Sequence, residues 1–155
     1  MPTRDRIHDT VKQALIKDGW EITDDPYIID YGERILYADL GIADGRQING
    51  KFLGVQSGKS RIIIEIKEFR GRSKIADLEQ AIGQYVLYRL LLAKIAPSRE
   101  IYLAVPTTVY EEIFSEEIGQ VVINDLPMKL LVVQLETEEV KQWIPLPNTG
   151  KFSSR

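Results

Sequence analysis

The chain has no cysteine and one histidine in 155 residues. Disulfides, thiolate metal sites and cysteine nucleophiles are therefore excluded, and a reducing compartment is permitted. The lone histidine, His8, has no partner at metal-site spacing. No apolar run approaches the roughly 20 residues needed to span a bilayer, and Met1 to Arg6 carry no apolar leader segment. The expectation is a cytoplasmic protein with no membrane contact. A surplus of basic residues is also missing. Lys and Arg total 20 against 23 Asp and Glu, a net charge of −3, so any nucleic-acid contact must be local.

What is present belongs to a globular protein. A hydrophobic fraction of 44% with 28% charged residues excludes a disordered chain, and the length suffices for one continuous core. We expect a single domain over 1–145 and a flexible tail over 146–155. In that tail Leu146-Pro147-Asn148-Thr149-Gly150 spells the LPxTG sorting signal. No apolar segment follows it, so the match reads as coincidence.

The stretch that organises the rest is Arg61-Ile62-Ile63-Ile64-Glu65-Ile66-Lys67. As a β-strand it turns Ile62, Ile64 and Ile66 to one face and Ile63, Glu65 and Lys67 to the other. A carboxylate and an ammonium then stand side by side at the end of an apolar strand, where charge is rarely placed without a partner. A cross-strand ion pair on a half-exposed face is the plain alternative. Glu-x-Lys alone carries little weight. The chain repeats it at Glu139-Val140-Lys141, which reads as a solvated strand of a terminal hairpin.

Periodicity supplies the surroundings. Ile7, Val11, Ala14 and Leu15 form a helical stripe over 3–18 that Gly19 ends. Trp20-Glu21-Ile22 opens a strand, and Tyr27–Tyr31 with Arg34–Ile42 form a hairpin around Gly32. Residues 43–60 make a long connection with a short strand at Phe52–Val55. A long helix over 73–95 presents Ile75, Leu78, Ile82, Tyr85, Val86 and Leu90 at 3/4 spacing. Glu100–Val105 is a strand and Thr107–Phe114 a short helix capped by Thr107 or Thr108. Met128–Glu136 and Glu139–Ile144 close the chain as a hairpin. That order predicts an α/β sandwich with a mixed sheet and helices on its faces.

Asp39 closes its strand just before Leu40-Gly41, so a second carboxylate is offered at the rim of the sheet. Asp39, Glu65 and the Ile66 carbonyl can hold a hard cation such as Mg²⁺ or Mn²⁺. Such an ion polarises a phosphodiester and acidifies its bound water, and Lys67 beside that water would stabilise developing negative charge. On the long helix Gln84 and Tyr88 lie four apart and share a face. Gln84 could orient a water or phosphate with Tyr88 packed beneath. The plain alternative makes them a solvated amide and a core-edge aromatic. Arg61, Arg70, Arg72 and Lys74, with Lys59, form a local basic excess able to take a polyanion's backbone. His8 and Asp9 fall beside the first helical stripe, within reach of a site at the sheet edge.

These residues carry a resemblance. The chain resembles the XisH family of fdxN-element excision controlling factors, known from cyanobacteria. The likeness is carried by Asp5-Arg6-Ile7-His8-Asp9-Thr10-Val11, Ala14 to Pro26, Ala38-Asp39-Leu40-Gly41, Glu65-Ile66-Lys67, Ala81 to Arg89 and Tyr102-Leu103-Ala104-Val105-Pro106. That family looks like a branch of the PD-(D/E)xK nuclease superfamily, which implies a restriction-endonuclease-like fold with a central mixed sheet flanked by helices. The resemblance puts the superfamily's metal carboxylates at Asp39 and Glu65 and its lysine at Lys67. Gln84 and Tyr88 match its Q-x-x-x-Y element. Position 38 is Ala where the superfamily's name has Pro.

The implied function is Mg²⁺-dependent phosphodiester hydrolysis on DNA, linked to excision of a DNA element. The alternative is a catalytically silent accessory factor that binds a site-specific recombinase or another excision factor. Both readings allow a homodimer, with the apolar Ile101–Val105 and Val121–Ile123 regions as candidate interfaces.

Overall fold

The computed structural model describes residues 2–45, 47–48, 51–52 and 60–147. Helix α1 (Pro2–Lys17) buries Ile7, Val11, Ala14 and Leu15, the expected stripe. Gly19 ends it at φ +99°, a conformation glycine adopts without a Cβ penalty. Strands β1 (Trp20–Asp24), β2 (Tyr27–Tyr31), β3 (Arg34–Ala38) and β4 (Leu40–Asp44) follow, then the short β5 (Gln47–Ile48) and β6 (Lys51–Phe52). Beyond Phe52, the strand expected at Phe52–Val55 lies outside the described residues, as does Lys59.

The organising stretch is β7 (Arg61–Ile66). Helix α2 (Lys74–Ile95) carries the chain from β7 to β8 (Glu100–Pro106), a parallel pairing that requires such a crossover. Ser73 caps α2 by accepting the Ala76 N–H at 3.1 Å. Then come α3 (Thr107–Val109), running on into a π-turn at Tyr110–Phe114, α4 (Glu117–Asp125), β9 (Leu130–Gln134) and β10 (Glu139–Ile144). The main sheet runs β1-β4-β7-β8-β9-β10. The β7–β8 and β8–β9 pairings are parallel and the other three antiparallel. A six-stranded mixed sheet flanked by helices is the expected architecture, consistent with an endonuclease-like fold.

Both faces of this sheet are covered. Ile62 and Ile64 pack against α1 with Val11, Leu15 and Trp20, while Ile63 faces α2 with Leu78, Ala81 and Tyr85. An Ile run buried on both sides is what a central strand needs. On the α1 side Asp18 Oδ2 accepts the indole N–H of both Trp20 and Trp143, each at 3.0 Å. This ties the end of α1 to the first and last strands of the sheet.

Several expectations are corrected. The strand predicted over Arg34–Ile42 breaks at Asp39 into β3, which pairs only with β2, and β4, which joins the main sheet. The buried stripe of α2 is Leu78, Ala81, Tyr85, Tyr88 and Leu92, while Ile75 and Leu90 are exposed. The helix turns its tyrosines inward because their hydroxyls find backbone partners there. Neither threonine caps α3, since Pro106 holds that position with no side-chain bond. Ile101–Val105 lies within the buried β8 between two strands and cannot serve as an interface. Helix α4 was not anticipated. Glu139 and Lys141 are solvated, as expected. Of the C-terminal tail, Leu146 is exposed and Pro147 buried, and residues 148–155 lie outside the described residues. Among the described residues no helix is long and apolar enough to cross a membrane.

Candidate functional site

The break at Asp39 has a local cause. Its N–H points to Glu65 Oε1 at 3.3 Å, and its own Oδ2 accepts the Ile66 N–H at 2.8 Å. Two carboxylates from neighbouring strands thus hook onto each other's backbone, so Asp39 leaves the ladder between β3 and β4. Glu65 is only 5% exposed. Burial of a carboxylate is costly unless hydrogen bonds or cations compensate. Lys67 continues the strand's direction past Ile66, its N–H donating to the Ala104 carbonyl at 2.9 Å. It therefore stays on the face of Glu65.

These residues meet at a cavity of about 360 Å³ lined by Ile7, His8, Asp39, Glu65, Ile66, Lys67, Glu68, Arg70 and Gln84. Its lining is mostly charged, which suits a phosphate and a metal ion better than an apolar ligand. The chain turns sharply below it. Phe69 takes φ +58°, a left-handed conformation that costs a non-glycine residue roughly 1–2 kcal/mol. Its ring is anchored edge-on to Phe114 at 5.8 Å. The turn sends Glu68 and Arg70, 3.8 Å apart, back towards the cavity.

Gln84 and Tyr88 share one face of α2, as their spacing requires. The Gln84 amide donates to the Tyr88 hydroxyl at 3.2 Å, and that hydroxyl donates to the Tyr37 carbonyl at 3.1 Å. Tyr37 is two residues before Asp39, so Tyr88 holds the strand that delivers the carboxylate. Burial pushes the Tyr88 phenol above its usual range. The Gln84 bond opposes that shift, and the charges of Glu65 and Asp39 add to it. The phenol keeps its proton and acts as a donor.

His8 projects from α1 into the cavity. Its Nε2 lies 2.7 Å from Asp25 Oδ1 and its Nδ1 3.9 Å from Asp39 Oδ1. Lys12, one helical turn on, donates to the other Asp25 oxygen at 2.7 Å. That bond, followed by the one from His8, holds the Asp25 carboxyl below its usual range, and Lys12 is raised by the same contact. Asp9 is exposed and does not line the cavity. Sequence reasoning missed Asp25, Lys12 and Glu68. The i, i+4 spacing of His8 and Lys12 was the available signal for a shared partner.

Of the four basic residues expected to take DNA, Arg70 alone lines the cavity. Arg72 is exposed on the following turn, and Lys74 donates to the Phe69 carbonyl at 3.3 Å. Arg61 begins β7, about 13 Å along the strand from Glu65.

Asp39 and Glu65 offer the carboxylate oxygens that a hard divalent ion takes. Asp39 Oδ2 is engaged by backbone and Oδ1 faces the cavity side, with Glu65 beside it. Among the described residues no three His, Asp or Glu side chains gather closely enough to hold an ion unaided. Carbonyl, water and substrate oxygens would complete the shell, as Mg²⁺ prefers.

A family model described as XisH protein matches residues 1–141. Two solved structures are similar over nearly the whole chain. An fdxN element excision controlling factor protein from Anabaena variabilis is 36% identical with a TM-score of 0.75, the match covering 90% of this chain and 98% of that one. An XisH family protein from Nostoc punctiforme PCC 73102 is 33% identical with a TM-score of 0.74, covering 89% and 98%. No curated protein matches.

Proposed function

Since the chain belongs to the XisH family, we propose that it acts on DNA in the excision of a DNA element, as a Mg²⁺- or Mn²⁺-dependent phosphodiesterase of the PD-(D/E)xK type working in the cytoplasm. The observation that carries this reading is the meeting of Asp39, Glu65 and Lys67 at one charged cavity, though 26 residues separate the two hooked carboxylates along the chain. Asp39, Glu65 and the Ile66 carbonyl would hold the ion, which supplies Lewis acidity to the phosphate and to a bound water. Lys67 stabilises the charge that builds on the phosphate oxygens. Gln84, its amide nitrogen held by Tyr88, offers its carbonyl to orient the attacking water. Arg70 takes the phosphate backbone at the mouth, with Arg72 and Lys74 extending the contact along the turn.

Incubation of supercoiled and branched DNA with the protein and Mg²⁺ or Mn²⁺ tests the reading. Nicking or cleavage is expected, falling at least a hundredfold in Glu65→Ala and Lys67→Ala. Activity unchanged in Glu65→Ala would remove the proposal.

A second reading has its own observation. The outer face of the β2–β3 hairpin exposes Ile28, Ile35 and Tyr37, each more than half accessible, on a protein of net charge −3. An accessory factor that docks a recombinase or other excision factor would use such a face. Under that reading a partner co-purifies with wild type and with Asp39→Ala alike, and is lost on Tyr37→Ser.

A further inference from the structure

We propose that the outer face of α2 is the contact surface for a second copy of this chain, the two helices packing antiparallel about a two-fold axis near Tyr85. The inference does not depend on the chemistry of the cavity.

A helix laid on a sheet needs one apolar face, and α2 has two. Leu78, Ala81, Tyr85, Tyr88 and Leu92 are buried beneath it. On the opposite side Ala76, Gln80, Gly83, Leu87, Leu90 and Lys94 recur at alternating steps of four and three, and all are exposed. That is the spacing of a helix–helix seam. Its centre is apolar, with Leu87 47% and Leu90 59% accessible. Gly83 is an observation of a different kind. Glycine is among the poorest residues for a helix interior, and a Cβ added there would meet nothing within 4 Å. Nothing among the described residues therefore asks for glycine at this point. A neighbouring helix does, because the missing Cβ leaves a hole for its side chain.

The pattern fits a second copy and fixes its direction. With two antiparallel helices centred on Tyr85, Leu87 of each copy sits over Gly83 of the other. Leu90 lies along the aliphatic stem of Gln80. Lys94 crosses the small Ala76 and brings its ammonium to Glu79, which is exposed one turn further on. A parallel pair would set Glu79 against Glu79 and Lys94 against Lys94, with a void between two glycines. The two-fold antiparallel seam is thus complementary to itself in both shape and charge. From Ala76 to Lys94 it runs roughly 27 Å at the rise of an α-helix. One helix from each copy makes a small interface, so the dimer is weak and forms at micromolar concentrations or above.

The test uses the full chain with no added ligand. Sedimentation equilibrium should show monomer passing to dimer between micromolar and near-millimolar concentration. Leu87→Glu should raise the dissociation constant at least about tenfold and leave the melting temperature of the monomer unchanged, since Leu87 is exposed. The chain has no cysteine, so single-cysteine variants report the geometry. Under mild oxidation a mixture of Gly83→Cys and Leu87→Cys should yield the mixed disulfide-linked dimer, read by intact mass, because a bridge needs Cα atoms within roughly 7 Å. Ala76→Cys alone should not cross-link, its two copies standing roughly 27 Å apart along the seam. Cross-linking of Ala76→Cys to itself, with none between positions 83 and 87, would overturn the antiparallel arrangement. A chain that stays monomeric throughout, or a dimer indifferent to Leu87→Glu, would overturn the proposal. So would a monomer whose melting temperature falls in Leu87→Glu, because the chain would then be covering this face itself.

Discussion

Tyr88 shows how a side chain one step removed from the cavity can control it. Its hydroxyl holds the Tyr37 carbonyl while accepting the Gln84 amide, so Tyr88→Phe strands two polar groups. We expect a loss of about 1–3 kcal/mol in urea unfolding, together with weaker metal binding because Asp39 is delivered less rigidly. Unchanged stability with full metal affinity would show that the hydroxyl positions nothing. Asp25 makes a separate prediction. Its carboxyl lies below the ordinary value of 3.8, first because Lys12 donates to it and then because His8 does. That contribution to stability is complete above pH 3.8 and is lost as pH falls through the lowered value. Lys12 is raised above 10.5, so its share is complete below that pH and is lost as pH rises through the raised value. In Lys12→Met the Asp25 carboxyl, followed by NMR, should titrate closer to 3.8. A midpoint that does not move would contradict the pairing.

At the scale of elements, what was legible depended on whether local pattern or tertiary contact decided the outcome. The stripe of α1, the Ile run of β7 and the terminal hairpin are written in their own periodicity, and each formed as read. The split between β3 and β4 is not. Arg34 to Ile42 reads as one strand, and the break falls at Asp39, which hydrogen-bonds to Glu65 and Ile66 some 26 residues away. Helix α4 was hidden for the opposite reason. Val121, Val122 and Ile123 are β-branched and Gly119 interrupts the helical pattern, so local propensity pointed away from a helix. The tertiary fit explains that glycine. A Cβ there would collide with the Ile113 carbonyl and Phe114 Cα. Gly119→Ala should therefore destabilise the protein by about 1–3 kcal/mol despite alanine's better helix propensity. A gain in melting temperature would disprove the close approach.

Across the whole molecule, the sheet is sealed on both sides, and its phenols are part of the seal. Tyr85 donates to the Ile101 carbonyl and accepts the Lys129 N–H, and Tyr102 donates to the Pro145 carbonyl. Burial raises both phenols, and that of Tyr88, above the ordinary 10.0. Raised values mean that their stability contribution is complete below pH 10 and lost as pH rises through them. Alkaline titration followed by absorbance and circular dichroism should show these tyrosines ionising only as the fold is lost. Ionisation in an intact fold would contradict their burial. The candidate site was legible in type, since a charged pair in an Ile strand calls for compensation. Its distant members, Asp25 and Lys12, were hidden because only the packing of α1 beside the turn after β1 joins them to it.

The account depends on Asp39 and Glu65 sharing one divalent ion. Soaking crystals of the protein in Mn²⁺ and recording anomalous differences tests this most directly. The prediction is a single peak between Asp39 Oδ1 and the Glu65 carboxylate, on the cavity side, lost in Glu65→Ala crystals. An empty cavity at saturating Mn²⁺, with both carboxylates still on their backbone partners, would contradict it.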